Sequence, residues 1–259
     1  MHFLTDEEAV SILKEPHCFS FINYTEKISS TTQKIRPVSN SSSTHVSGSC
    51  NSWLPIGPNL ISSLKAVFES WRLKRFAVLS DLSRCYRCMR TSHQSNVARL
   101  HLYPENINDP DSKLLVLFLG RSTYGDSPCA CTLEVLLTQH VVKRCKTPLG
   151  AAILLKSRYV DDILAGSDDK LTLWAAILDI EQALGHFDFS FKHVFSSNLH
   201  HIILNEEGGT DDGEFSPDDI KEVVFHHTWF FREDVLQNIP SFFPGKKTRG
   251  CYKGSSLYN

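Results

Sequence analysis

Three aspartates stand where a divalent cation would need them. Asp81 closes a short apolar run over residues 76–79. Asp161 and Asp162 interrupt two more apolar runs, 151–155 before them and 163–165 after. That pattern predicts strand, turn and strand, with two carboxylates at the hairpin tip. If the first strand pairs with this hairpin, three carboxylates converge. Like charges so placed disfavour ionisation. Mg²⁺ resolves the conflict, since it prefers carboxylate oxygens together with substrate phosphates. Two such ions ~3.5–4 Å apart activate an attacking hydroxyl and stabilise a leaving oxygen, the chemistry of polymerases and nucleases. An Asp-Asp pair alone is a weak sign, because others begin at Asp168, Asp211 and Asp218. The last two lie in polar stretches and read as solvated. The pair at Asp168 reads as a cap for a helix starting near Lys170. The pair at Asp161 differs because charge at a buried tip is costly unless it is compensated.

Other groupings carry less. Cys85 and Cys88 with His93 begin a zinc-knuckle spacing, but the fourth ligand would fall on Ala98. Residues 208–215 mimic a cyclase GG-D-E-F signature with extra residues inserted, in an acidic loop. His200-His201 and His226-His227 lack partners at metal-ligand spacing. Arg72, Lys74 and Arg75, and separately Lys143, Arg144 and Lys146, are candidate basic patches. Glycosylation sequons at Asn23 and Asn40 read as chance.

The elements that must position the aspartates follow from periodicity. The first twenty residues have no clear period. Residues 29–52 are rich in Ser, Thr and Asn, as a mobile loop or poorly packed hairpin would be. Leu60, Leu64, Val67 and Trp71 lie at helical spacing. Residues 97–103 and 113–119 read as strands, and 120–128 as a Gly/Pro-marked loop. Leu133, Leu136, Leu137, His140 and Val141 form an apolar helical stripe. Residues 151–155 read as strand. Leu171, Trp174, Leu178 and Leu184 give another helix, 187–195 a strand, 208–217 an acidic loop and 223–231 a last strand before a basic, Gly-rich tail. Mixed helices, strands and hairpins define an α+β class.

Composition sets outer bounds. The chain has 259 residues, 41% hydrophobic and 22% charged, enough for a packed core. With 27 basic and 29 acidic residues the formal charge is −2, which excludes a bulk-basic nucleic-acid coat but not a local basic groove. No apolar run approaches the ~20 residues of a membrane span. The start lacks a secretory signal, so an intracellular location, cytoplasmic or nuclear, with its eight cysteines as thiols is expected.

The motifs in series resemble a known family. Arg158 followed by Tyr159-Val160-Asp161-Asp162 resembles the YxDD box of reverse transcriptases. Asp81 with Tyr86 five residues on resembles the preceding box. Tyr124-Gly125-Asp126-Ser127-Pro128 stands where the family has its Gly-containing box. Lys34-Ile35-Arg36 resembles a finger strand with a triphosphate-binding arginine. Asn51 through Leu60 resembles the ND-L-GP-L stretch of the BEL/Pao group of LTR retrotransposons. Phe189 to Lys192, Trp229 with Asp234, and Gly245 to Gly250 resemble that group's later boxes. Departures are visible: the middle box usually reads F-G-x-x-x-S-P, and Phe225-His226 stands where Leu-Gly is usual.

The resemblance implies the fingers and palm of a right-hand polymerase, with an antiparallel palm sheet backed by helices and the thumb absent or incomplete. Expected divisions are residues 1–75 for partial fingers and a Ser-rich loop, 76–205 for the palm, and 206–259 for a connecting segment. The implied activity is RNA-directed DNA synthesis in a retroelement polyprotein, with an RNA or DNA template, a DNA primer and a dNTP as partners and no membrane. The alternative is an inactive remnant or co-opted nucleic-acid-binding module of the same fold. Asp81, Asp161 and Asp162 would hold two Mg²⁺ ions, with Mn²⁺ as a substitute. Lys192 would protonate the leaving pyrophosphate, or else is a surface lysine. Arg36 would grip the triphosphate and Gly125 would let backbone approach the nucleotide or template, against a solvated arginine and a plain turn glycine. Tyr86 would exclude a ribose 2′-hydroxyl, or else packs in the core. Tyr159 and Val160 would touch the primer end.

Overall fold

The computed structural model describes residues 2–28, 33–44, 48–97 and 99–196, together with the backbone of three short strands beyond. It divides into a unit Met1–Asp211 and a unit Asp212–Asn259. In chain order the first unit contains β1 (His2–Phe3), α1 (Asp6–Ile12), β2 (Phe21–Ile28), β3 (Gln33–Asn40), α2 (Cys50–Trp53), α3 (Leu64–Arg72), β4 (Phe76–Leu82), α4 (Cys85–Cys88), α5 (His93–Val97), β5 (His101–Pro104), β6 (Leu114–Phe118), α6 (Cys129–Leu136), α7 (Pro148–Lys156), β7 (Arg158–Tyr159), β8 (Asp162–Ser167), α8 (Lys170–Gly185) and β9 (Phe191–Ser196). The second contains β10 (Lys221–Val224), β11 (His227–Phe230) and β12 (Val235–Asn238), an antiparallel meander.

The four-stranded sheet β7-β8-β4-β9 is antiparallel throughout. Side chains alternate between the faces of a strand. Val78 and Leu82 of β4 and Ile163 and Ala165 of β8 pack with Leu133, Leu137, Ile153, Leu154, Ile177, Ile180 and Leu184 in one buried cluster. The sheet therefore lays one face on α6, α7 and α8. By the same alternation Asp81 and Asp162 point to the other face. Burying a Leu- or Ile-sized side chain contributes ~1.5–3 kcal/mol, so this cluster is the main support of the hairpin that carries the carboxylates.

Local chemistry explains the helices. Thr5 and Glu8 form a capping box at the start of α1, an element periodicity had left undetected. The predicted strand over 151–155 is helix α7. Thr147 caps it by accepting from the Gly150 amide, and Pro148 occupies the first turn. A continuous apolar run fits a buried helix as well as a buried strand, so period could not decide it. α8 exists as expected, but its buried face is Leu173, Ala176, Ile177, Ile180, Ala183 and Leu184, whereas Leu171 and Leu178 are exposed. Apolar residues ring this helix, so several stripes were readable. Asp169 caps α8 by accepting from the Thr172 amide at 2.7 Å. Asp168 instead binds Lys74 Nζ at 3.0 Å and the Arg75 amide at 3.2 Å.

Other boundaries moved. Part of the Ser-rich stretch belongs to the β2-β3 hairpin, paired from Phe21↔Asn40 to Ile28↔Gln33. Of the strand over 97–103, only its second half is β5, and Val97 ends α5. The last predicted strand is two, β10 and β11. The acidic loop at 208–217 and the basic tail lie outside the described residues. No helix among the described residues is long and apolar enough to cross a membrane.

Candidate active site

The carboxylates meet where β4 and the β7-β8 hairpin end. Asp81 pairs in register with Asp162, and Tyr159 pairs with Asp162 from the other side. These three residues therefore share the face of the sheet opposite the helix-side core. Asp161 occupies the turn, and its carbonyl accepts from the Leu82 amide at 2.9 Å. Val160 has φ 54°. For a β-branched residue the left-handed region is strained by roughly 1–2 kcal/mol, so the surroundings must hold the turn in place.

Burial pushes the Asp161 pKa up, the Asp81 carboxylate adds to the rise, and its own amide and the Lys192 charge oppose it. Lys192 Nζ lies 3.6 Å from Asp81 Oδ2, with both side chains partly exposed. A bulge puts it there. Ser80 pairs with Val194 and Leu82 with Phe191, so Lys192 and His193 together oppose Asp81. Bulges of this kind re-aim side chains and are common beside active sites.

Tyr86 is half-buried and packs against the helix-side core. Its ring meets Tyr124 edge-on, with centroids 4.9 Å apart and planes at 63°. Burial raises its phenol to about 12, with further rises from Cys85, Asp161, Cys129 and Glu134. Tyr86 thus packs against the core and also lies within electrostatic reach of Asp161. Burial likewise raises the Cys85 thiol to about 12, reinforced by Asp161.

Gly125 has φ 107°, and a Cβ there would stand 2.0 Å from the Ser39 carbonyl oxygen. The close backbone approach that only glycine permits is therefore made to β3. The Ser39 amide donates to the Tyr124 carbonyl at 3.0 Å. Asn51 donates to the Gly125 carbonyl and accepts from the Ser127 amide, both at 2.9 Å. Asp126 is buried and accepts from Ser41 Oγ at 2.6 Å, from the Thr123 amide and hydroxyl, and from Arg99. Arg36 lies on β3 opposite Thr25, and its side chain is outside the described residues.

The structure brings Asp81, Asp161, Asp162, Tyr159, Val160, Tyr86 and Lys192 to one end of the sheet. Gly125 reaches this region through its neighbour Tyr124. Among the described residues, no three His, Cys, Asp or Glu side chains are already gathered as a metal cage. Asp81, Asp161 and Asp162 stand at one sheet end, where burial and the Asp81 charge hold Asp161 above its ordinary range. Of the basic patches, Lys74 is taken up by Asp168 at 3.0 Å, while Arg72 and Arg75 lie over the Trp71 and Phe76 rings.

Sequence reasoning passed over Glu134. This acid is 3% exposed on α6 and grips Arg158 through two bonds of 2.6 and 2.5 Å. The available signal was a carboxylate beside Leu133 in an otherwise apolar helical stripe.

No protein-family model and no curated relative matches the sequence. Among solved structures, the chain is similar to a foamy viral protease–reverse transcriptase determined in complex with double-stranded DNA. The two are 13% identical with a TM-score of 0.50, over 81% of this chain. The match spans 29% of the viral chain. At that identity the likeness speaks for the fold, which is α+β with antiparallel sheets and similar to a fragment of a reverse transcriptase.

Proposed function

We propose that this chain is the fingers–palm part of an RNA-directed DNA polymerase from a BEL/Pao-like retroelement. The observation that carries the reading is the in-register pairing of Asp81 with Asp162, with Asp161 in the adjoining turn pressed by burial and by Asp81. These three would hold two Mg²⁺ ions. When bound, the ions would supply an activated primer hydroxyl and charge stabilisation at the leaving oxygen. The chain's own residues do the rest. Tyr159 and Val160, flanking the carboxylates, contact the primer terminus. Tyr86, braced by Tyr124, forms the wall against which the incoming sugar packs and where a 2′-hydroxyl clashes. Lys192, beside Asp81, is the proton donor to the departing pyrophosphate. Arg36 binds the triphosphate through its planar fork. The template–primer duplex is the partner, as double-stranded DNA is for the viral neighbour.

A second reading is a non-catalytic nucleic-acid-binding module of the same fold. The Lys192–Asp81 ion pair favours it, because a resident ammonium already offsets one carboxylate.

Primer extension on poly(rA)/oligo(dT) with Mg²⁺ separates the two. Extension by the natural sequence, lost in Asp161→Asn, supports the polymerase. Salt-sensitive duplex binding with no extension supports the module. On an active chain, Tyr86→Ala is expected to admit ribonucleotides. A large fall in melting temperature with unchanged sugar selectivity would make Tyr86 a core residue alone.

A further inference from the structure

The turn that carries Asp161 has a support on the side of the sheet away from the carboxylates. Arg158 pairs with Ile163, whose side chain lies in the helix-side core, so by alternation Arg158 also enters that core. Its side chain is 2% exposed and that of Glu134 3%. The guanidinium uses most of its fork. Nη1 and Nη2 donate to the two Glu134 carboxylate oxygens at 2.6 and 2.5 Å, Nε donates to the Leu154 carbonyl at 3.2 Å, and Nη1 donates to the Val160 carbonyl at 3.0 Å.

The last bond bears on the reactive centre. The Val160 carbonyl belongs to the peptide that leads into Asp161. That peptide follows a residue in the left-handed region, where the alternative is a flipped turn. From the far side the Leu82 amide holds the Asp161 carbonyl at 2.9 Å. Asp161 is thus gripped on both its peptides, one by β4 and one by Arg158. Glu134 also neutralises Arg158, with both its carboxylate oxygens on the guanidinium. The effect of Arg158 on the carboxylates is therefore geometric.

A buried ion pair is a poor way to stabilise a core, since well-packed apolar replacements are often neutral or better. A fold that retains a fully buried arginine fork against a strained turn fits a demand for one particular turn geometry. We propose that Arg158, held by Glu134, is a positioning residue that fixes the Val160–Asp161 peptide and so sets the Asp161 carboxylate opposite Asp81. The proposal rests on the reading of these carboxylates as the reactive centre.

The test compares the natural chain with Arg158→Lys, which keeps charge without the fork, and with the double variant Arg158→Met/Glu134→Leu, which replaces the pair by apolar groups of similar size. Melting confirms that the double variant folds; if it does not, Arg158→Lys carries the test. Amide hydrogen exchange reads the turn without metal or nucleic acid. Exchange at Leu82 and Asp161 is expected to speed up while Ile177 in α8 stays protected. In primer extension, kcat is expected to fall about 10- to 100-fold with KM for dNTP little changed, the size that loss of an orienting partner has at metal sites. Natural protection at Leu82 and Asp161 in folded variants overturns the proposal, as does natural kcat where the turn has loosened. A natural chain that extends no primer counts against the polymerase reading alone, and hydrogen exchange then decides the role of Arg158.

Discussion

Asp179 and Asp161 belong to the same unit and are treated by the fold in opposite ways. Asp179, on α8, accepts from the Lys146 amide at 3.0 and 2.9 Å and from the Thr147 amide and hydroxyl, both at 2.7 Å. Burial alone would push its pKa up, but those donors outweigh burial and hold the carboxyl below its ordinary range. Asp126 is similarly surrounded, by Arg99, Ser41 and Thr123. For Asp161 the balance goes the other way: burial and Asp81 win, and the carboxyl is raised. A carboxylate that builds structure is supplied with donors by the chain itself. At Asp161 the chain's own donors do not offset burial and Asp81, so the ionised form is disfavoured.

The contrast can be broken by mutation. The largest effect is expected at Arg99→Met, which leaves Asp126 buried without its cation. Breaking a buried pair from one side costs ~3–5 kcal/mol, readable as a loss of urea or thermal stability. Next comes Asp179→Ala, which strands the amides of Lys146 and Thr147 at the start of α7. These amides are only part-buried, so each donor left unmade falls toward the low end of ~1–3 kcal/mol, and a loss of about 2–4 kcal/mol is expected. Its pH dependence follows from the sign of the shift. The folded pKa lies below the unfolded one, so the contribution is present above the ordinary carboxylate range and lost as pH falls through the folded value.

Asp161→Asn is expected to do the reverse. A raised folded pKa means the ionised group opposes folding, fully so above the folded value and not at all below the ordinary range. Without Mg²⁺ the variant should therefore melt slightly higher near neutral pH, by under ~1 kcal/mol for a partly exposed charge. Added Mg²⁺ should stabilise the natural chain and leave the variant unmoved, as ligand linkage requires. A variant that melts lower in both conditions would remove the distinction from Asp179. The smallest effect is expected at Lys192→Met. Its pair with Asp81 is partly exposed, so the loss should stay within ~1 kcal/mol and shrink further in high salt.

The strands that carry Asp81 and Asp162 were legible in the sequence. Asp81 at the end of an apolar run and Asp161-Asp162 before another are local patterns, and β4 and β8 formed where they were expected, but the strand before the turn is β7 at Arg158–Tyr159 and not the run at 151–155. The errors have physical causes. The run at 151–155 is equally apolar on all sides, so only the Thr147 cap, Pro148 and the seat provided by Asp179 made it a helix. The face of α8 was misread because apolar residues ring it.

What the sequence determined by itself was strand β4, the Asp161-Asp162 turn and strand β8, because local apolar runs broken by charge settle those. Only the tertiary structure decided how distant pieces meet. The register that sets Asp81 against Asp162, the bulge that turns Lys192 toward Asp81, the approach of Ser39 to Gly125 and the grip of Glu134 on Arg158 each join residues 24 or more positions apart. Such contacts depend on tertiary packing, which no run of neighbouring residues specifies. A one-residue slip in the β7-β8-β4-β9 sheet would turn every side chain of the slipped strand to the opposite face, with the aspartates into the core.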